Sequence, residues 1–279
     1  MANILVVGLG DIGFPVALAL HERGHQVTGL KRQPAAFSAP FPVLLADIGQ
    51  PDSLRSLSTD YELLLFIVSP GGRQVESYQA VFYEGLKNLL RHFAKAEQSP
   101  TCLMVSSTSV YGQNRGEWVD ESSETRPLSA TAQWLLAAEQ LLYDADQKHC
   151  VVRFSGIYGP GRDWLIRRAA TAEPIQRQPP SYTNRIHQQD CVAVLLFISN
   201  KLLAGEPVQS CYLASDNDPA PLWDVMSWIA DQYHYLAPIA RSDTADAPQN
   251  KRCRNDRLTA LGYTFQFSSY KDGYLNPAD

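Results

Sequence analysis

The chain has 279 residues and a mass of 31.0 kDa, a size for one large domain or for a large domain joined to a smaller one. Apolar residues make up 45% and charged residues 19%, enough burial to offset chain entropy, which excludes an intrinsically disordered chain. A formal net charge of −5 with no long run of either sign excludes partners held by bulk positive charge, so neither nucleic acid nor an anionic membrane is expected and any bound anion needs a local site.

Ile4–Val7 is a continuous apolar run of the kind buried on both faces of a parallel sheet. A glycine-rich turn follows, and Ile12 to Arg23 then carries helical spacing and stops at Gly24, a residue suited to a left-handed cap. Gln26–Leu30 is the second predicted strand. Leu63–Val68, an unbroken run of six apolar residues, is predicted as a strand and is far too short to cross a bilayer. Cys102–Ser106 and Cys150–Phe154 are further strands, and Gln74–Lys95 and Thr131–Asp144 are helices between them. This alternation predicts an α/β fold with a Rossmann-type, doubly wound parallel sheet. Pro174 to Tyr182 is proline-rich and predicted as a loop. Asp190 to Lys201 reads as a helix, Ser210–Ala214 as a strand returning to the main sheet, and Leu222–Gln232 as a helix of a smaller C-terminal lobe. The expected division is 1–160 with 186–215 for a dinucleotide-binding domain, and 161–185 with 216–279 for a small substrate-binding lobe.

The N-terminal MANILVVG has no basic residue ahead of its apolar stretch, which reads against a signal peptide. Five widely spaced cysteines (Cys102, Cys150, Cys191, Cys211, Cys253) contain no CxxC, so buried free thiols are expected in place of disulfides or zinc, and the expected location is the cytoplasm. No metal site is expected.

Gly8-Leu9-Gly10-Asp11-Ile12-Gly13 is a GxGxxG between a buried strand and a helix, the context in which the pattern binds a dinucleotide. Gly8 permits the tight turn, Gly10 admits a pyrophosphate to the backbone at Asp11 and Ile12, and Gly13 allows close helix–sheet packing. The helix N-terminus then offers unpaired N–H groups to the phosphates. At the end of the second strand, where an acid would grip the ribose hydroxyls of NAD, stand Lys31 and Arg32. Two cations there favour the 2′-phosphate of NADP, with NAD the alternative. Asp47 follows a third short apolar run and can accept from an adenine amino group, and Ser69, after Leu63–Val68, completes the expected cofactor contacts.

With these residues in place, the chain resembles the extended short-chain dehydrogenases/reductases of the NAD(P)-dependent epimerase/dehydratase family. Ser106–Gly112 (SSTSVYG) is similar to that family's strand-end Ser/Thr segment. Trp118–Glu121 with Pro127 resembles the loop after it, Val152-Arg153-Phe154 with Ile157–Gly161 its Arg-Phe and YGPG segment, and Ile186–Asp190 its IHxxD segment. The matches run in family order across residues 4 to 215. The resemblance implies a Ser/Thr that holds the substrate oxygen, at Ser107, and a Tyr acid/base with a Lys four residues later, whose charge lowers the phenol pKa. Those two positions fall on Thr131 and Leu135, neither of the required type. Tyr83 and Lys87 form the one Tyr-x-x-x-Lys of the sequence, on the helix preceding the Ser107 strand.

Ser107, Thr108 and Tyr111 are therefore the expected catalytic candidates, with Tyr158 a further phenol after a strand end. The resemblance implies an oxidoreductase or epimerase acting on a small-molecule secondary alcohol or ketone, including one in a nucleotide sugar. The alternative is a catalytically inactive protein that senses NADP(H). A homodimer through helices Gln74–Lys95 and Thr131–Asp144 is what the family implies. The cluster Lys251, Arg252, Arg254 and Arg257 is the densest positive stretch and suits either a phosphate clamp or a solvated face.

Overall fold

The structure, a computed structural model, describes residues 1–34, 38–146, 148–241 and 250–275. The chain forms two compact units: Met1–Val110 with Ser129–Arg153 and Val192–Tyr212, and Tyr111–Leu128 with Phe154–Cys191 and Leu213–Asp279.

The main sheet has seven strands. From one edge to the other they are Cys211–Ala214, Cys150–Phe154, Thr101–Ser107, Leu63–Phe66, Asn3–Val7, Gln26–Lys31 and Val43–Leu45. The first strand pairs in parallel with the second, Ile4 opposite Val27, and with the strand at Leu63, Ile4 opposite Leu63. The flanking pairs, Gly29 opposite Val43 and Leu63 opposite Thr101, are parallel too. Ile4, Leu5, Val6, Leu63, Leu65 and Phe66 are each 0% exposed, which is why their run is unbroken: both faces of the strands are covered.

The first helix, Gly13–Glu22, ends where Gly24 takes φ +86°, with the N–H of Gly24 reaching His21 O and that of His25 reaching Leu20 O. This is the left-handed cap the glycine predicts. The predicted helix Gln74–Lys95 is built as Val75–Tyr78, a π-helical stretch Gln79–Glu84, and Gly85–Phe93. Gly85 lets Ile48 pack close, since a Cβ there would lie 2.6 Å from Ile48 Cδ1 and the isoleucine would have to shift. Next along, buried Asn88 donates from Nδ2 to Ile48 O at 2.9 Å and pins the loop that carries Asp47. The helix Ala130–Ala145 starts on Ser129, whose hydroxyl accepts the Ala132 N–H.

The second unit holds short ladders. Gly156–Tyr158 pairs in parallel with Arg185–His187, Glu117–Val119 in parallel with Lys251–Cys253, and Tyr182–Thr183 antiparallel with Ala220–Pro221. Its core gathers Tyr158, Ile175, Val225, Met226, Ile229, Tyr270 and Tyr274. The Pro174–Tyr182 segment, predicted as loop, contains the strand Ile175–Gln176, paired with Ala240–Arg241 because Ile175 is buried in that core. Ile186 and His187 finish a strand, and the helix after them begins at Gln188. Asp190, 0% exposed, accepts from the Tyr263 hydroxyl at 2.6 Å and from the N–H groups of Gln266 and Phe267 at 2.9 Å each. One carboxylate thus fixes a tail segment that has no hydrophobic period of its own.

Among the described residues no helix is long and apolar enough to cross a membrane. All five cysteines are buried thiols that form no disulfide.

Candidate functional site

The turn after the first strand is shaped by its glycines. Gly8 sits at φ +95° with its N–H on Leu30 O at 2.9 Å, and a Cβ there would collide with Ile67 O. A Cβ on Gly13 would collide with Gly8 O. Around Gly10, by contrast, nothing lies within 4 Å of the Cβ position. Two glycines are therefore required by the protein's own packing, and the third leaves the backbone open to an outside group. Ile12 is the N-cap of the helix, with no side-chain cap and no acidic residue in the first turn. Asp11 is exposed and Ile12 buried, so this end of the helix presents backbone N–H groups.

Beside the turn is a cleft of about 140 Å³ lined by Gly8, Lys31, Arg32, Asp47, Ser69 and Val81, among others. The structure thus brings five of the sequence-predicted cofactor residues onto one cavity. Arg32 and Ser69 are exposed there. Asp47 is half-buried, its Oδ1 accepting the Gly49 N–H at 2.9 Å, and Ser53 Oγ donates to its carbonyl at 2.6 Å. Val81 enters from the π-helical stretch, a position that sequence periodicity does not reveal because the π turn shifts the register of the helix.

Ser107 ends its strand half-buried, its Oγ accepting the Ser109 N–H at 3.1 Å. The hydroxyl keeps its own proton for donation. Thr108 is 8% exposed and opens a 3₁₀ turn through Val110. Tyr111 is 1% exposed. Tyr158 is buried against Tyr274, ring centroids 4.6 Å apart, and against His187 at 5.2 Å. Burial first, then the neighbouring Asp216 charge, push its phenol pKa well above the usual tyrosine value, so it is held as a neutral phenol.

Thr131 and Leu135, where the sequence resemblance leads one to expect a Tyr and a Lys, both have packing or hydrogen-bond contacts of their own. Thr131 Oγ1 lies 3.1 Å from Ser129 Oγ at the helix start. Leu135 is 5% exposed and packs inward with Ala132, Ala138 and Leu142. The Tyr83–Lys87 pair is also occupied: Tyr83 packs on Trp134 with centroids 5.4 Å apart, and Lys87 lies over the Tyr83 ring and 3.5 Å from Glu84 Oε2.

A group that the motifs do not announce holds the sheet to the helix Ala130–Ala145. Arg153 Nη2 donates to Glu139 Oε2 at 2.6 Å and its Nε to Oε1 at 3.1 Å, while the Ser106 hydroxyl donates to the same Oε1 at 2.5 Å. The signal was there to find. Glu139 falls on the helix face of Ala132, Leu135 and Leu142, and Arg153 interrupts an otherwise apolar strand. Charges placed so are paired or they do not persist. In the second unit Asp216, 1% exposed, is raised to a pKa of about 8 by burial, against the opposing pull of the Arg185 guanidinium. Arg257 is paired with Glu121 Oε2 at 3.6 Å. Among the described residues no three His, Cys, Asp or Glu side chains gather as metal ligands.

The model of the NAD dependent epimerase/dehydratase family matches residues 4–207. Protein YeeZ of Escherichia coli (strain K12) is 29% identical over 281 residues, covering 96% of this chain and 97% of that protein. The solved structure of a candidate NAD-dependent epimerase/dehydratase from Methylobacillus flagellatus is 33% identical with a TM-score of 0.81, over 99% of this chain and 97% of that one. MoeE5, solved with UDP-glucose and NAD, is 20% identical with a TM-score of 0.78 over 99% and 97% of the two chains. At that identity the likeness is one of fold.

Proposed function

Because the chain belongs to the NAD dependent epimerase/dehydratase family, we propose that it binds a pyridine dinucleotide across the Gly8–Gly13 turn and acts as an oxidoreductase on a secondary alcohol or ketone. The observation that carries this reading is the space around the glycines. A Cβ is barred at Gly8 and Gly13 by the protein's own backbone, whereas Gly10 faces open space beside an uncapped helix N-terminus. A turn that needed only to be tight would not require the opening.

The residues suit the coenzyme. Asp11 and Ile12 offer their amides to the pyrophosphate. Lys31 and Arg32 line the cleft at the end of the second strand without an acid among them, which favours a 2′-phosphate and hence NADP, with NAD the alternative. Asp47 accepts from the adenine amino group and Ser69 contacts the same end. The coenzyme supplies hydride acceptor and donor chemistry when bound. Ser107 holds the substrate oxygen by donating its hydroxyl proton, its own oxygen being oriented by the Ser109 N–H. The MoeE5 complex with UDP-glucose makes nucleotide sugars the first substrate class to try.

A second reading is favoured by a specific observation. Leu135 is buried and Thr131 is engaged with Ser129, so the usual phenol and ammonium are not replaced in place. A protein that binds NADP(H) as a signal and does not turn over would need neither. Assays with NADPH and NADP against a panel of nucleotide sugars and ketones separate the two readings. Turnover that falls in Ser107→Ala with unchanged coenzyme affinity supports the enzyme; tight coenzyme binding with no turnover supports the sensor.

A further inference from the structure

We propose that Arg252 and Arg254, set on Trp118 in the second unit, form a two-point receptor for a doubly anionic ligand whose charge is borne by phosphate or carboxylate oxygens. The site goes beyond the coenzyme reading and shares no residue with it.

The starting point is the fate of the positive stretch at 251–257. Arg257 is paired with Glu121, and Lys251 points inward, 4% exposed. Arg252 and Arg254 are different: among the described residues neither guanidinium has a carboxylate within ion-pair distance. Arg252 is held in place all the same. Its Nε donates to Gly116 O at 2.8 Å, and its Cζ lies 4.9 Å from the centroid of Trp118 and 4.7 Å from that of Tyr182. Arg254 Cζ lies 5.1 Å from the same indole. Both guanidinium carbons are therefore within about 10 Å of each other, a span that one diphosphate or dicarboxylate can bridge.

The supporting frame is rigid. The strand Lys251–Cys253 pairs with Glu117–Val119, placing Arg252 opposite Trp118. Asn250, 6% exposed, accepts the Tyr182 N–H at 2.8 Å and donates to Pro180 O at 3.0 Å, while its carbonyl accepts the Gly116 N–H at 2.7 Å. Gly116 takes φ +81°, with the Tyr182 ring 3.3 Å from its Cβ position. Glu117, the acid next to Trp118 in sequence, accepts the Arg115 N–H at 2.7 Å. The result is a guanidinium fixed through Nε, its Nη fork without an acceptor among the described residues, beside a second guanidinium and an indole that is 45% exposed. Ordering costs have already been met by the fold, so the fork is preorganised for a bidentate oxyanion. On a chain of net charge −5, binding of such an anion reports a local site rather than bulk attraction.

The test uses the full chain and two probes, inorganic pyrophosphate and malonate, titrated calorimetrically with wild type, Arg254→Gln, Trp118→Phe and Gly10→Val. The expected result is salt-sensitive binding of at least one probe, weakened tenfold or more by Arg254→Gln, weakened less by Trp118→Phe, and unchanged by Gly10→Val. Pyrophosphate binding alone assigns the site to phosphate ligands, and malonate binding alone to carboxylates. Arg254 is exposed, so its replacement leaves the fold intact. Failure of both probes to bind, or equal affinity in wild type and Arg254→Gln, overturns the proposal. Binding abolished by Gly10→Val and kept in Arg254→Gln also overturns it, by assigning the anion to the glycine turn.

Discussion

Arg153 and Glu139 face each other across the sheet–helix junction in a forked pair, with contacts of 2.6, 3.1 and 3.2 Å and side chains only 7% and 1% exposed. Such a pair adds little net stability compared with an apolar contact, yet removing one partner leaves the other charge buried alone. Glu139→Ala is expected to destabilise the protein by about 3–5 kcal/mol in denaturant unfolding, and Glu139→Ala with Arg153→Met by less than the single change. A double variant worse than Glu139→Ala would contradict the pairing account.

His149 gives a pH dependence with a definite sign. Its Nδ1 accepts the buried Cys102 N–H at 3.0 Å, so the ring is needed neutral, and burial lowers its pKa from 6.5 to about 4. The unfolded chain binds this proton more readily than the folded one. The histidine's contribution is therefore complete above pH 6.5 and is lost as the pH falls towards 4. The total is on the order of 3 kcal/mol, and His149→Asn, which keeps a neutral acceptor, should flatten that part of the stability–pH profile.

Asp216 works in the opposite direction. Its carboxyl is raised from 3.8 to about 8 by burial, so the folded state holds a proton that the unfolded state releases. Its contribution is present at low pH and declines as pH rises from about 4 to about 8. Asp216→Asn should remove that decline in thermal unfolding followed between those values. An unaltered slope would show that another group titrates there.

Much of the fold could be read from the chain because burial on both faces leaves a plain mark. Ile4–Val7 is an apolar run and Cys150–Phe154 is one broken only by Arg153, and the sheet contains each within a residue. The glycine turn was legible for a similar reason, since only glycine fits at Gly8 and Gly13. The ladders of the second unit were not. Strands of two or three residues, such as Tyr182–Thr183 and Lys251–Cys253, are too short to carry a period. They are held by single side chains instead: Asn184, which bonds Lys251 O and the Cys253 N–H, and Asn250. The π-helical stretch that delivers Val81 was hidden because it breaks the period on which helix reading depends.

Coenzyme choice can be tested by one exchange. Arg32 is exposed at the mouth of the cleft that Lys31 also lines. Arg32→Asp should shift the NADP/NAD affinity ratio towards NAD by roughly tenfold or more, as measured by titrating both coenzymes. An unchanged ratio would remove Arg32 from contact with a 2′-phosphate.

The most direct measurement is calorimetric titration of the wild-type chain and of Gly10→Val with NADPH, NADP, NADH and NAD. Open space at the Gly10 Cβ position leaves the variant free to fold, so its melting temperature should match wild type. The account predicts binding of at least one coenzyme to wild type and its loss in Gly10→Val. No heat with any of the four, or equal affinity in both proteins, would contradict it.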